Sequence, residues 1–309
     1  MKATAQAPAK VIVTGEHFVV HGAWALAAAI DRKVTVEARD SDRLRIESDL
    51  PEAAGPKRHA PVVKLVETMS ERYSFKPDVR LSIRSEIPDG AGLGSSASTM
   101  VAAAAALSRL KSLGLGTREL IGLSMAGERE IHGNPSGVDS AICGYGGVLL
   151  YRPGSRPETV RLEGPRNLIV VFSGLKRNTG RLVSHVAEVS EKLPDYFSGL
   201  VKSLNDLSLT AAGRLESGDM DGVGALLTLN HAVLAEVGVS TPELDGLVDT
   251  LISLGCHGAK LTGAGGGGSV LAVAPHRKEK RIISEARRQG YEAFVSTIPV
   301  EGVKSWRAR

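Results

Sequence analysis

The chain has 309 residues, 42% hydrophobic and only 4% aromatic, with 38 Lys and Arg against 34 Asp and Glu for a net charge of +4. That length fits one large or two ordinary domains. No run of eighteen apolar residues offers a membrane span, and the scarcity of aromatics among dispersed basic residues argues against a nucleic-acid partner.

The densest basic segment, HRKEKRIISEARR at 276–288, interleaves apolar residues and reads as the solvated face of a helix. The start, MKATAQAPAKVIVTGEH, lacks the apolar core and cleavage site of a secretory signal. Only Cys143 and Cys256 occur, with no Cys-x-x-Cys, which disfavours a disulfide framework and a structural zinc. A cytoplasmic protein is the expectation.

In chain order, Lys10–Val13 and Val34–Ala38 read as strands, with Leu44–Glu47 a hairpin partner. Residues 49–61 are rich in Pro, Gly and Ala and read as a loop, followed by a helix over 62–73. Val79, Leu81 and Ile83 alternate with polar residues, as in a half-buried strand. Helices follow over 95–110 and from Thr117 to about His132, then a short helix at 138–145 and a strand at 147–151. Residues 152–158 (RPGSRPE) read as a surface turn. In the second half, a strand at 167–172 precedes helices over 180–192, 195–217 and 219–237. Another helix is capped by Thr241 with Pro242 at its first position. Strands at 259–262 and 269–274, a helix at 276–289 and a strand at 291–298 complete the chain. This is a β-α-β-β-α-β order with an enlarged first crossover, which places a domain boundary near residue 163.

Four segments carry candidate chemistry. The first is Lys10 with Gly15-Glu16-His17, at the end of a strand. The second is Pro88-Asp-Gly-Ala-Gly-Leu-Gly-Ser-Ser-Ala-Ser98. Glycine permits left-handed backbone and close approach to a ligand, and the helix behind it offers N–H groups and a positive dipole end. The lysine of the common P-loop is missing, so this is a different phosphate cradle. The third is the pair of carboxylates Glu128 and Asp139, flanking a Gly/Pro turn. Such a pair can divide metal binding from orientation or deprotonation of a hydroxyl. His132, with no second histidine at ligand spacing, reads as a structural contact. The fourth is Lys260-Leu-Thr-Gly-Ala-Gly-Gly-Gly-Gly-Ser269, which contains G-x-G-x-x-G but runs into a strand rather than a helix, so a dinucleotide site is disfavoured.

Together APAKVIVTGEHFVVHG (7–22), PDGAGLGSSAS (88–98) and KLTGAGGGGS (260–269) resemble, over nearly the full length, the three motifs of the GHMP kinase superfamily. Within it, GEHFVVHG and GEREIHGNPSGVD (127–139) are most similar to the mevalonate kinases of compact archaeal or bacterial type. The resemblance implies an α+β, two-domain GHMP kinase fold. Residues 1–163 would form an ATP-binding domain like the second domain of ribosomal protein S5, and 164–309 a ferredoxin-like domain. It further implies ATP-dependent phosphorylation of the mevalonate 5-hydroxyl, with Mg²⁺ as cofactor, ATP and mevalonate as small-molecule partners, and a homodimer as an open possibility.

Carried over position by position, Asp139 becomes the catalytic base and Lys10 its partner at the hydroxyl. Gly90, Ala91, Gly92, Leu93, Gly94, Ser95, Ser96, Ala97 and Ser98 wrap the phosphates. Ser96 and Glu128 hold the metal. Glu16, His17, Thr179, Gly263 and Ala264 contact the acid substrate, with Asn178 beside Thr179. His21 stands where mevalonate kinases commonly have tyrosine, and Trp24 is bulkier than the family pattern. The alternatives are another kinase of the superfamily, acting on phosphomevalonate or a sugar, for which Arg177 and Arg181 are the residues to watch, or a non-catalytic ligand-binding member.

Overall fold

The computed structural model describes residues 1–49, 59–132, 136–175 and 179–307. The centre of the expected 49–61 loop, the side chain of His132, and Arg177 and Asn178 lie outside the described residues.

Among the described residues the first sheet has the order β11-β1-β2-β4-β3, with β5 also pairing β2, and β6 pairing β5. Its strands are β1 (Lys2–Thr14), β2 (Ala25–Asp40), β3 (Arg45–Ser48), β4 (Val79–Ser85), β5 (Val148–Tyr151), β6 (Glu158–Thr159) and β11 (Lys304–Arg307). Ala3, Ala5, Ala7 and Ala9 of β1 are all fully buried, the period of two that gives a strand one inward face. The register of β1 against β2 shifts between Pro8 and Ala9, where a proline without an N–H cannot continue the ladder. On this sheet lies α2 (Ser95–Leu110), with Ala102 to Ala106 buried. A helix apolar all round must be covered on every side. Here alanines on β1 and β2 face it from one side, while α1 (Ala60–Tyr73), α3 (Thr117–His132) and α4 (Val138–Tyr145) also pack against it.

The second sheet has the order β10-β7-β9-β8, all antiparallel: β7 (Arg166–Phe172), β8 (Gly258–Thr262), β9 (Ser269–Val273) and β10 (Glu292–Ile298). α5 (Thr179–Lys192), α6 (Pro194–Ser217), α7 (Met220–Glu236) and α8 (Pro242–Ser253) fill the crossover from β7 to β8, and α9 (His276–Arg288) joins β9 to β10. This is the ferredoxin-like order with an enlarged first crossover. Thr241 caps α8 by accepting the Leu244 N–H at 3.3 Å.

Two pairings differ from expectation. β3 pairs parallel with β4 rather than in a hairpin with β2, because β4 takes the β2 edge in antiparallel register from Val34–Ser85 to Asp40–Val79. β11 returns to the first sheet as the outer neighbour of β1. Cys143 and Cys256 are buried free thiols. Among the described residues no helix is long and apolar enough to cross a membrane.

Candidate active site

The two sheets meet where β1 ends, and the four sequence segments converge there. The Lys10 N–H donates to the Leu93 carbonyl at 2.9 Å, tying β1 to the loop before α2. Gly90, Gly92 and Gly94 have φ of 76°, 78° and 78°, the left-handed region that glycine enters without cost. Gly94 is the N-cap of α2, and no side chain folds back to cap the helix. Its first turn therefore presents N–H groups and a positive dipole end at the loop. A Cβ on Gly94 would stand 2.7 Å from Lys10 Cγ, so the lysine stem lies directly on this loop.

Within the loop the side chains have different roles. Ser95 and Ser96 are half-buried at the helix start. Ser96 Oγ donates to Glu128 Oε1 at 2.9 Å, joining α2 to α3. Ser98 needs a correction: its hydroxyl turns inward, is fully buried, and donates to the carbonyls of Pro8 (2.7 Å) and Gly94 (3.0 Å). It braces β1 against α2 instead of facing a ligand. Ala91, Leu93 and Ala97 are likewise buried, so any contribution from them to phosphate binding is through the backbone.

Lys10 and Asp139 form an ion pair, Nζ to Oδ1 3.0 Å, with the lysine side chain 4% and the aspartate 33% exposed. Asp139 sits in the first turn of α4 behind Gly137, whose φ is 84°. The Tyr151 hydroxyl fixes that turn by donating to the Ser136 carbonyl at 2.8 Å. Glu128 is 5% exposed; burial first, and then the neighbouring Asp139 charge, push its carboxyl up to about 7, against the Ser96 hydrogen bond and Lys10. The hydroxyl of Ser96 and the carboxylate of Glu128 supply the oxygen donors that suit a hard cation. Among the described residues no cluster of three or more His, Cys, Asp and Glu side chains forms a closed metal site. A cation held by Ser96 and Glu128 would therefore complete its shell with phosphate oxygens and water.

The glycine segment between β8 and β9 closes the other side. Ser269 Oγ donates to the Ala91 carbonyl at 2.8 Å, and a Cβ on Gly268 would come within 3.1 Å of the same oxygen. His17, at φ 61°, has its Nε2 3.0 Å from the Ala264 carbonyl. Gly263 and Ala264 thus lie beside the Gly15–His17 turn. Glu16 is only 3% exposed and pairs with the fully buried Lys260. Burial holds its carboxyl above the ordinary range, with Lys260 and more distant Lys10 pulling the other way. Among the described residues Thr179, half-buried at the start of α5, stays outside this hydrogen-bonded cluster. Arg181 and Leu182 line a cleft of about 370 Å³ with His185, Gly238 and Gly266. His21 stands edge-on to Phe197 of α6, ring centres 4.8 Å apart.

Lys260 and Thr262 both lie in the 260–269 segment without a role evident from sequence, and Asn230 lies outside all four segments. The signal was there for Lys260: a charged residue inside a strand of buried residues is almost always paired. Thr262 Oγ1 accepts the Ile12 N–H and donates to the Ile12 carbonyl, both at 3.0 Å. Asn230 Oδ1 accepts the Gly15 N–H at 3.3 Å. Neither contact has a signature in sequence, because the partners are more than two hundred residues apart.

The family patterns for "GHMP kinases N terminal domain" and "GHMP kinases C terminal" match residues 60–147 and 208–292. The mevalonate kinase of Aeropyrum pernix is 35% identical, covering 98% of each chain, and that of Archaeoglobus fulgidus is 34% identical, covering 93% of this chain and 98% of its own. The chain belongs to the GHMP kinase family. Among solved structures of this family, the L. major mevalonate kinase in complex with R-mevalonate superposes with a TM-score of 0.85 at 28% identity, covering 96% of each chain. The Lactococcus lactis galactokinase complexed with galactose reaches 0.83 at 20% identity, a likeness of fold alone. The junction described above brings together the glycine-rich loop before α2, the Ser96–Glu128 pair and the Lys10–Asp139 pair.

Proposed function

We propose that this protein transfers the γ-phosphoryl group of ATP to the 5-hydroxyl of mevalonate, giving 5-phosphomevalonate and ADP. The observation that carries the reading is the Lys10–Asp139 pair, set on the Gly94 end of the phosphate loop and next to the Ser96–Glu128 pair. The full-length relatedness to proteins named mevalonate kinase supports mevalonate over other alcohols.

In this reading the N–H groups at the start of α2 receive the nucleotide phosphates. Ser96 and Glu128 would hold Mg²⁺, which when bound offsets phosphate charge. Asp139 accepts a hydrogen bond from the 5-hydroxyl, orients it in line with the γ-phosphorus, and takes its proton as the new O–P bond forms. Lys10 holds the Asp139 carboxylate in an ion pair and steadies the negative charge on the attacking oxygen. Much of the rate comes from positioning, because a loose phosphoryl-transfer transition state asks little of a base before bond formation. His17, held by the Ala264 carbonyl, and the backbone of Gly263 and Ala264 border the pocket for the acid end of the substrate.

The test is Asp139→Asn, which keeps the shape and removes the proton acceptor. ADP release with mevalonate should fall on the order of 10²–10⁴-fold, while ATP affinity by calorimetry stays close to wild type. Full turnover in this variant would remove Asp139 from the mechanism. Assaying wild type against mevalonate, phosphomevalonate, galactose and other small alcohols separates the reading from its alternatives, and no ADP release with any of them would favour a non-catalytic ligand binder.

A further inference from the structure

Lys260 is fully buried beneath the glycine segment, and its Nζ has three acceptors: Glu16 Oε1, the Leu261 carbonyl at 2.5 Å and the Ile12 carbonyl at 3.5 Å. Three acceptors match the three N–H donors of an ammonium group. Two of them, Ile12 and Glu16, belong to the stretch that follows Lys10. The same stretch is gripped by Thr262 at Ile12, by Asn230 at Gly15, and by Ser208, whose Oγ accepts from Thr14 Oγ1 at 2.8 Å. Lys260 is the charged member of that grip.

The charged and titratable groups around Lys260 are few. Glu16 and Lys10 face it from the β1 side, and His231 from α7. Asp245 and Asp249 of α8 act on His231. His231 Nδ1 accepts the Leu261 N–H at 3.3 Å, so its proton sits on Nε2, directed at Asp245 Oδ1 3.1 Å away. A neutral imidazole leaves Glu16 as the direct counter-charge of Lys260. Burial disfavours the charged form of each, so each depends on the other. Glu16 in turn feels both Lys260 and Lys10. Charges of alternating sign thus couple Lys260 to Glu16, Glu16 to Lys10 and Lys10 to Asp139.

We propose that Lys260 is a positioning residue for phosphoryl transfer, which fixes Glu16 and with it the end of β1 that presents Lys10 to Asp139. The inference rests on the reading above that Lys10 and Asp139 are the reacting pair. Lys260 cannot reach a substrate, so its effect on the reaction must pass through Glu16.

A double-mutant cycle on kcat tests this, using Lys260→Met, Glu16→Gln and the double variant, which buries no charge at this pair. Lys260→Met should lower kcat by roughly tenfold or more, with KM for ATP changed by less than about twofold, whereas in the Glu16→Gln background the same substitution should change kcat by less than about threefold. Equal fold-losses in both backgrounds, or an unchanged kcat in Lys260→Met, would overturn the proposal. Melting temperatures of all variants keep loss of folded protein separate from loss of turnover. Should Lys260→Met fail to fold, Lys260→Arg, which keeps the charge but moves it, is compared in both backgrounds by the same criterion. If wild type does not phosphorylate mevalonate, the substrate reading fails on its own, and the cycle is run with whichever alcohol wild type does phosphorylate.

Discussion

At the residue scale, Glu128 carries the sharpest electrostatic prediction. Its carboxyl is pushed up to about 7 by burial and by Asp139, from an ordinary value of 4.5. The folded chain thus holds this proton more tightly than the unfolded chain. The stabilising contribution is complete below about pH 4.5 and is lost as pH rises through about 7, to the extent of about 3 kcal/mol. In magnesium-free buffer, Glu128→Gln should therefore gain thermal stability relative to wild type at pH 8 and lose that advantage at pH 5. An equal difference at both pH values would contradict the burial argument. Because a cation must displace the same proton, the magnesium concentration for half-maximal activity should rise up to about tenfold per pH unit below 7, measured by Mg²⁺ titration at pH 6 and 8.

At the scale of elements, the phosphate loop works because β1 and α2 are pressed together at Gly94. Gly94→Ala meets two penalties at once. The residue has φ of 78°, which costs an alanine about 1–2 kcal/mol. Its Cβ would also stand 2.7 Å from Lys10 Cγ. A displaced Lys10 should lower kcat on the order of 10²-fold, the scale of a roughly 1 Å misplacement. Gly114→Ala is the control, since Gly114 also has positive φ, at 66°, but nothing within 4 Å of a new Cβ. It should cost stability in thermal melts and leave kcat unchanged. A comparable kcat loss in both variants would mean that strain alone, not contact with Lys10, is at work.

At the scale of the molecule, the two sheets are joined by bonds that cross between them. Beyond Lys260–Glu16 and the Ile12–Thr262 pair, the Asp31 N–H donates to Ser296 Oγ at 2.7 Å, and Arg32 lies 4.4 Å over the Phe294 ring. β11 also carries the chain back to β1. With buried charges and a strand of one half completed by the other, neither half can unfold without exposing unpaired groups in its neighbour. Calorimetry should show one unfolding transition, and residues 1–163 expressed alone should lack a cooperative melt. Two resolved transitions would show that the cross-sheet bonds are weaker than the separate cores.

The sequence by itself determined the elements with local causes. α2 was legible from the Gly-Ser start and the alanine run, α8 from Thr241-Pro242, and the β-α-β-β-α-β order from alternation of strand and helix patterns. Lys10, Ser96, Glu128 and Asp139 stood out in the sequence as candidates because they lie in or beside the segments that resemble the family motifs, and the structure sets them side by side as two pairs. The tertiary structure decided what depends on partners far along the chain. β1 and β2 run well beyond Lys10–Val13 and Val34–Ala38, since alanine-rich strands show no strong strand preference until a helix covers them. β3 found β4 rather than β2, β11 crossed back to the first sheet, and Ser98 turned inward to brace β1. Lys260 gained its role only when folding placed Glu16 against it, because a buried charge is explained by its partner and never by its own neighbours in sequence.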